Sequence, residues 1–268
     1  MSVDHEARNL PIGVFDSGVG GLSVLEALRN LLPTESFIYL ADTQYVPYGT
    51  KSSDLVTKRA VDICSFFVKT PCKLIVIACN TATSAAVKHL RNNFHVPIVG
   101  IEPALKPATK VTQKGMIGIL ATAGTLESSK FSVLKNNHAD GIEIIHQPCT
   151  GLVELVESGK HDTQDLQKTL RDFINPLIKR GIDTLVLGCT HYPLVRDLIE
   201  DIAGPNITIL DPTIAVAKEV ERQLKIQNIS RETSRSDIRI FQTGDNPYLS
   251  KLFELKIKRK CNVCQVSL

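Results

Sequence analysis

Two cysteines carry the most chemical information in this chain. Cys79 ends the apolar run Leu74-Ile75-Val76-Ile77-Ala78 and is followed by Asn80-Thr81. Cys189 ends the run Thr184-Leu185-Val186-Leu187-Gly188 and is followed by Thr190-His191. Each stands where a buried strand is expected to stop and a helix to start, the edge of a parallel α/β sheet that binds ligands. About 110 residues separate them, which suggests two halves of one cleft. One thiol on each face of a cleft suits the movement of a proton across a stereocentre. A helix N-terminus favours thiolate. Asp16 and His191 are candidates to exchange protons with Cys79 and Cys189 respectively.

The run Asp16-Ser17-Gly18-Val19-Gly20-Gly21 adds glycines that let backbone N–H groups approach a ligand at a predicted helix start. It lacks the Lys-Ser/Thr of a phosphate-binding loop and does not fit G-x-G-x-x-G. By itself it reads equally well as a structural turn. Amides for an anion beside an acid for an ammonium group fit a zwitterion with extra negative charge. Asn80, Thr81, Thr190 and His191 supply further donors at strand ends, and Tyr48-Gly49 could supply hydroxyl and backbone donors from a loop. Taken singly, each of these groups reads as a helix cap; taken together they read as a site. Cys64, Cys72 and Cys149 read as small buried hydrophobes. Cys261-x-x-Cys264 has metal or redox spacing but no second pair and no nearby histidine, so neither use is expected.

The elements that must position these groups alternate. Ile12–Phe15, Phe37–Leu40, Leu74–Ala78 and Pro97–Ile101 read as strands. Between them lie helices with apolar stripes at Leu22, Leu25, Leu28 and Leu32, then at Val56, Ala60, Ile63 and Phe67 behind a Ser52-Ser53-Asp54 cap. A third helix is expected from Thr83 to Leu90. The pattern recurs with strands at Met116–Leu120, Ile142–His146, Leu185–Gly188 and Ile207–Leu210, and with a long helix through Leu166, Leu170, Phe173 and Leu177 that Gly181 can end. Gln227–Asp237 reads as a loop, and Ile238–Gln242 and Val263–Val266 as last strands. This is an α/β pattern of two similar lobes with mainly parallel sheets flanked by helices and the site in the cleft between them.

Composition bounds the rest. The chain has 268 residues, 43% of them hydrophobic, and a formal charge of +3. No dense Lys/Arg patch with interleaved aromatics points to nucleic acid as the main ligand; Lys256–Lys260 reads as a solvated face. No apolar run approaches the roughly 20 residues that span a bilayer, and the polar stretch Met1–Asn9 is not a signal peptide. Seven cysteines outside any framework of short loops point to a reduced, cytoplasmic setting.

Five runs in order resemble the glutamate racemases, the cofactor-independent two-cysteine enzymes of cell-wall precursor synthesis. They are Phe15-Asp16-Ser17-Gly18-Val19-Gly20-Gly21-Leu22, Asp42-Thr43-Gln44-Tyr45-Val46-Pro47-Tyr48-Gly49, Ala78-Cys79-Asn80-Thr81-Ala82-Thr83, Leu152-Val153-Glu154-Leu155-Val156-Glu157 and Gly188-Cys189-Thr190-His191-Tyr192-Pro193. The resemblance implies an isomerase that interconverts L- and D-glutamate by 1,1-proton transfer at Cα for peptidoglycan synthesis. Cys79 would act on D-glutamate and Cys189 on L-glutamate, supported by Asp16, His191 and Glu157, the last exchangeable with Glu154. Asp16, Ser17, Tyr48, Gly49, Asn80, Thr81, Thr122, Thr190 and His191 match substrate contacts, and Thr125 shares the turn of Thr122. The resemblance further implies no cofactor or metal, a homodimer, and a first lobe of residues 1–101 plus 211–268 into which the second, 102–210, is inserted. The other readings are an aspartate or other amino-acid racemase of the same two-cysteine type and a non-catalytic binding or regulatory protein on this fold. A thiol-redox protein is one more, against which the lack of a C-x-x-C unit at these two cysteines argues.

Overall fold

The computed structural model describes residues 5–138, 141–161, 163–232 and 236–268, with side chains from Ala7 onward. The expectation for residues 1–4 and that for 233–235, inside the anticipated loop, lie outside the described residues. After a short α1 (His5–Asn9) the chain alternates: β1 (Ile12–Asp16), α2 (Leu22–Leu31), β2 (Phe37–Ala41), α3 (Ser53–Lys69), β3 (Leu74–Ile77), α4 (Asn80–Asn93) and β4 (Ile98–Gly100). Then follow α5 (Leu105–Val111), β5 (Met116–Ala121), α6 (Ala123–Leu126), α7 (Ser129–His138), β6 (Glu143–Pro148), α8 (Leu152–Glu157), α9 (Gln164–Lys179), β7 (Thr184–Leu187), α10 (Arg196–Ala203) and β8 (Thr208–Leu210). The chain closes with α11 (Thr213–Ile226), β9 (Ile238–Gln242), α12 (Pro247–Ile257) and β10 (Val263–Gln265).

Two wholly parallel sheets result. One runs β10-β9-β2-β1-β3-β4 and the other β6-β5-β7-β8. The order β2-β1-β3-β4 is repeated as β6-β5-β7-β8, so the faint echo in the sequence is a repeated topology. Strands β1, β2, β3 and β7 are buried along their whole length, as strands covered on both faces must be. Their runs of Val, Ile and Leu are therefore continuous rather than alternating. β9 pairs in register with β2, Phe37 opposite Ile238, which joins the C-terminal segment to the first sheet.

Local signals explain the helix boundaries. Ser52 accepts from the Leu55 N–H at 3.3 Å and starts α3. Thr163 accepts from Leu166 and starts α9, and Gly181, at φ +92°, follows its end. The helix expected from Thr83 begins earlier, at Asn80, because the Cys79 sulfur caps it by accepting from the Ala82 N–H at 3.5 Å. Cys189 differs from the expectation. It leads into a turn and a 3₁₀ segment, Tyr192–Val195, with Pro193 in its first turn, and α10 begins only at Arg196. Helices α5, α7 and α12 were not legible as periodic stripes; α7 buries only Phe131 among its residues.

Among the described residues, no helix is long and apolar enough to cross a membrane.

Candidate active site

The groups singled out in the sequence meet at the C-terminal ends of four strands. Asp16 ends β1, and Cys79 follows β3, its neighbour in the first sheet. Thr122 follows β5, and Cys189 follows β7, its neighbour in the second sheet. The two thiols thus occupy matching places in the repeated topology. Both are buried, 5% and 8% exposed, and the Cys189 charge is near enough to help push the Cys79 thiol up.

Asp16 is fully buried. Its Oδ2 accepts from the Gly18 and Gly21 N–H groups at 3.2 and 3.0 Å, and its Oδ1 accepts from the Thr190 hydroxyl of the second lobe at 3.2 Å. The Val19 N–H donates to Glu157 Oε1 at 2.8 Å. The glycine loop was expected to offer its amides to an anionic ligand; the amides of Gly18, Val19 and Gly21 are instead taken by the protein's own carboxylates. The glycines serve close approach in another way. A Cβ on Gly18 would lie 1.8 Å from Glu157 Oε1, and one on Gly20 would lie 2.5 Å from His191 Nδ1.

Around Cys189 the groups form a chain. His191, 2% exposed, places Nδ1 3.7 Å from the Cys189 sulfur and Nε2 2.5 Å from Glu157 Oε1. Glu157 Oε2 accepts from Asn246 Nδ2 at 2.5 Å. Glu157, not Glu154, is therefore the acid that reaches the imidazole; Glu154 is exposed. Burial opposes charge on His191, but its hydrogen bonds to Cys189 and Glu157 and their negative charges prevail and raise its pKa well above the ordinary value. A cationic imidazole donates from both nitrogens, which suits these two partners.

Around Cys79 the balance runs the other way. Burial first, then the Asp16 charge, push this thiol well up, and the Ala82 N–H and the Ser17 hydroxyl only partly oppose them. The thiolate expected from the helix N-terminus is overridden by desolvation. Asp16 is itself raised, by burial above all, although His191 pulls it down. Cys64, Cys72 and Cys149 are pushed up to about 12 by burial.

The remaining expected contacts take distinct places. The Thr81 hydroxyl meets those of Thr122 and Thr125 from the other sheet's side at 2.9 and 3.4 Å, and the latter two join each other at 3.0 Å. Gly49 packs on Thr122, where a Cβ would come within 2.6 Å. The Tyr48 hydroxyl was expected to point to a ligand, but it donates to Asp42 Oδ2 at 2.5 Å, and Arg59 and Thr243 bind the same carboxylate. Asn80 is 3% exposed, yet neither Nδ2 nor Oδ1 has a protein partner. An unpaired buried polar group costs about 1–3 kcal/mol, which a zwitterionic ligand would offset. Sequence reasoning missed Asn246, although Asn-Pro ahead of a helix is a start signal. It also missed Tyr39, whose hydroxyl donates to Gly18 O at 2.6 Å. A cavity of about 300 Å³ opens beside Glu157, between Val46-Pro47, Glu154 and Asn246.

The fold and site together define a two-sheet parallel α/β protein with a buried thiol past a matching strand of each sheet. The Asp/Glu/hydantoin racemase family model matches residues 12–220, and the chain belongs to that family. It is 43% identical over 259 residues to a glutamate racemase of Pseudomonas putida, covering 96% of this chain and 97% of that one. A glutamate racemase of Bacillus anthracis superposes with a TM-score of 0.89 at 33% identity, covering 97% and 98% of the two chains. The Francisella tularensis glutamate racemase, solved in complex with D-glutamate, superposes at 0.84 with 27% identity and coverage of 97% and 98%.

Proposed function

We infer that this protein is an isomerase that interconverts L- and D-glutamate, supplying D-glutamate for peptidoglycan. The observation that carries the reading is the pair of buried thiols at matching strand ends of the two sheets. The Cα–H bond breaks to a thiolate on one face, forming S–H. The thiol on the other face gives its proton to Cα, so the atoms and charge balance and the two sulfurs exchange states. Cys189 acts on L-glutamate and Cys79 on D-glutamate.

The unequal surroundings of the thiols fit these roles. Cys79, held protonated by burial and Asp16, is poised to donate. Asp16 and His191 are the groups that receive and return protons beside Cys79 and Cys189. General acid–base help is worth about 10²–10⁴-fold, too little for so weak a carbon acid. Fixed dipoles must supply much of the remainder, and the N-terminus of α4, Asn80 and the threonines Thr81, Thr122 and Thr190 are suited to it. Ser17, Tyr48 and Gly49 complete the wall on the Cys79 side. The lobes are residues 1–101 with 211–268, and 102–210. The same reading includes a cytoplasmic, cofactor-independent homodimer.

Circular dichroism of purified protein with L-glutamate tests it. The signal should decay to zero in wild type, without added pyridoxal phosphate and in the presence of a chelator. Cys79→Ala and Cys189→Ala should each lose about 10²–10⁴-fold in rate while remaining folded. Wild-type turnover in either folded variant would sink the two-thiol mechanism, and faster decay with L-aspartate than with L-glutamate would reassign the substrate.

A further inference from the structure

Helix α12 begins against the end of α8. Asn246 is the residue ahead of α12, and its Oδ1 accepts from the Tyr248 N–H at 3.0 Å. Its Nδ2 donates to Glu157 Oε2 at 2.5 Å. The Tyr248 ring covers Gly159, whose φ is +71° and where a Cβ would lie 2.5 Å from the ring, and it stands edge-on to His161 at 5.4 Å. One amide therefore caps a helix of the C-terminal segment and grips an acid of the other lobe. Through Glu157 it is connected to His191 and to the Cys189 sulfur.

Glu157 has two oxygens and three protein donors. Oε1 takes the Val19 N–H and His191 Nε2, and Oε2 takes Asn246. α8 is short and ends at Glu157, so the side chain's aim depends on what holds its far oxygen. Without the Asn246 donor, Oε2 is unheld and the carboxylate can pivot about Oε1, so that it shares the imidazole poorly. Misplacement of about 1 Å can cost about 10²-fold in rate.

We propose that Asn246 is a positioning residue for the Cys189 half-reaction, orienting Glu157 so that His191 serves that thiol and not Cys79. This rests on the two-thiol reading above.

Asn246→Asp separates the two jobs. Aspartate keeps the helix cap but replaces the donor with an oxygen facing a carboxylate. Asn246→Ser also keeps the cap, but its single short hydroxyl cannot cap and reach Glu157 at once, and it adds no charge, should the aspartate variant not fold. The readout is the primary isotope effect on kcat/KM with [2-²H]-L-glutamate and with [2-²H]-D-glutamate. With a carbanion-like species between two proton transfers, slowing the Cys189 transfer alone makes that step limiting in both directions. The effect from L-glutamate should then rise and that from D-glutamate fall toward one, with kcat down about tenfold to 10²-fold and the melting temperature kept. D-Glutamate in ²H₂O should also gain Cα deuterium faster than it inverts. Effects unchanged from wild type, or moving together, would overturn the assignment. Wild type, run alongside, tests the reaction itself: if it does not racemise glutamate, the underlying reading fails, not the role of Asn246.

Discussion

Asp16 shows how function and stability compete in one side chain. It is fully buried, its partners are two amides and a hydroxyl, and burial raises its pKa above 3.8. A group raised in the folded state contributes stability that is full below its unfolded pKa and is lost as pH rises through the folded value. Wild type should therefore lose stability relative to Asp16→Asn between about pH 4 and the raised folded pKa. Asparagine can keep the same contacts, its oxygen toward the amides and its NH₂ toward Thr190. Thermal melts across that range should show the variant as stable as wild type or more so at neutral pH, the gap closing in acid, while racemisation is lost. A variant less stable than wild type at neutral pH would contradict the account. His191, also raised, obeys the same sign: the stability from its pairing with Glu157 is present below about pH 6.5 and goes only as pH climbs through the higher folded value.

At the scale of elements, the loop between β1 and α2 is the device that brings the lobes together. Gly18 and Gly20 leave room for Glu157 and His191 from the other side, and Val19 donates its amide to Glu157. Ser23 in the first turn of α2 donates to the Thr190 carbonyl at 3.3 Å. Glu157 cannot easily yield, since three donors hold it. Gly18→Ala and Gly20→Ala should therefore displace the acid or the imidazole and lower kcat by about 10²-fold, with a stability loss of about 1–3 kcal/mol for overpacking. Steady-state kinetics with urea unfolding check both numbers. Ala at Gly151, whose Cβ would meet nothing within 4 Å, strains only its own positive φ and should leave the kinetics near wild type.

For the whole molecule, stability and chemistry are anchored in different places. Far from the cleft, Lys73 and Glu35 form an ion pair at 2.6 Å, each side chain 2% exposed. The Lys73 ammonium also donates to the carbonyls of Arg8 and Ile229, and Glu35 accepts from the Arg231 N–H. The pair thus ties the N-terminal segment and the end of α11 to the first sheet. Removing one partner of a buried pair strands the other charge, at about 3–5 kcal/mol. Glu35→Gln should lower unfolding free energy by that order while kcat and KM for glutamate stay within about twofold at 25 °C, far below the 10²-fold expected of a misplaced site. A change in kinetics as large as that of Gly18→Ala would show that the scaffold and the site are not separable.

The sequence by itself determined the local facts. Continuous apolar runs marked the buried strands, since a strand covered on both faces has no polar side to display. Ser52 and Gly181 marked helix ends through their own backbone chemistry. Cys79, Cys189, Asp16 and His191 were legible because two apolar runs each end in a thiol with polar neighbours, a combination that reads as a site although each group alone could be a cap or a turn. Only the tertiary structure decided which groups face one another. The resemblance assigns Glu157 with Glu154 as its alternative, both in one short helix pattern, and the fold sends the first to His191. The glycine loop's amides, open to a ligand on paper, are occupied by carboxylates that arrive from the loop itself and from 138 residues away. The Tyr48 hydroxyl goes to Asp42, and Asn246 reaches across from a helix start. Cys79 is held as a thiol because burial, a property of the assembled lobes, outweighs the helix end that the sequence could display.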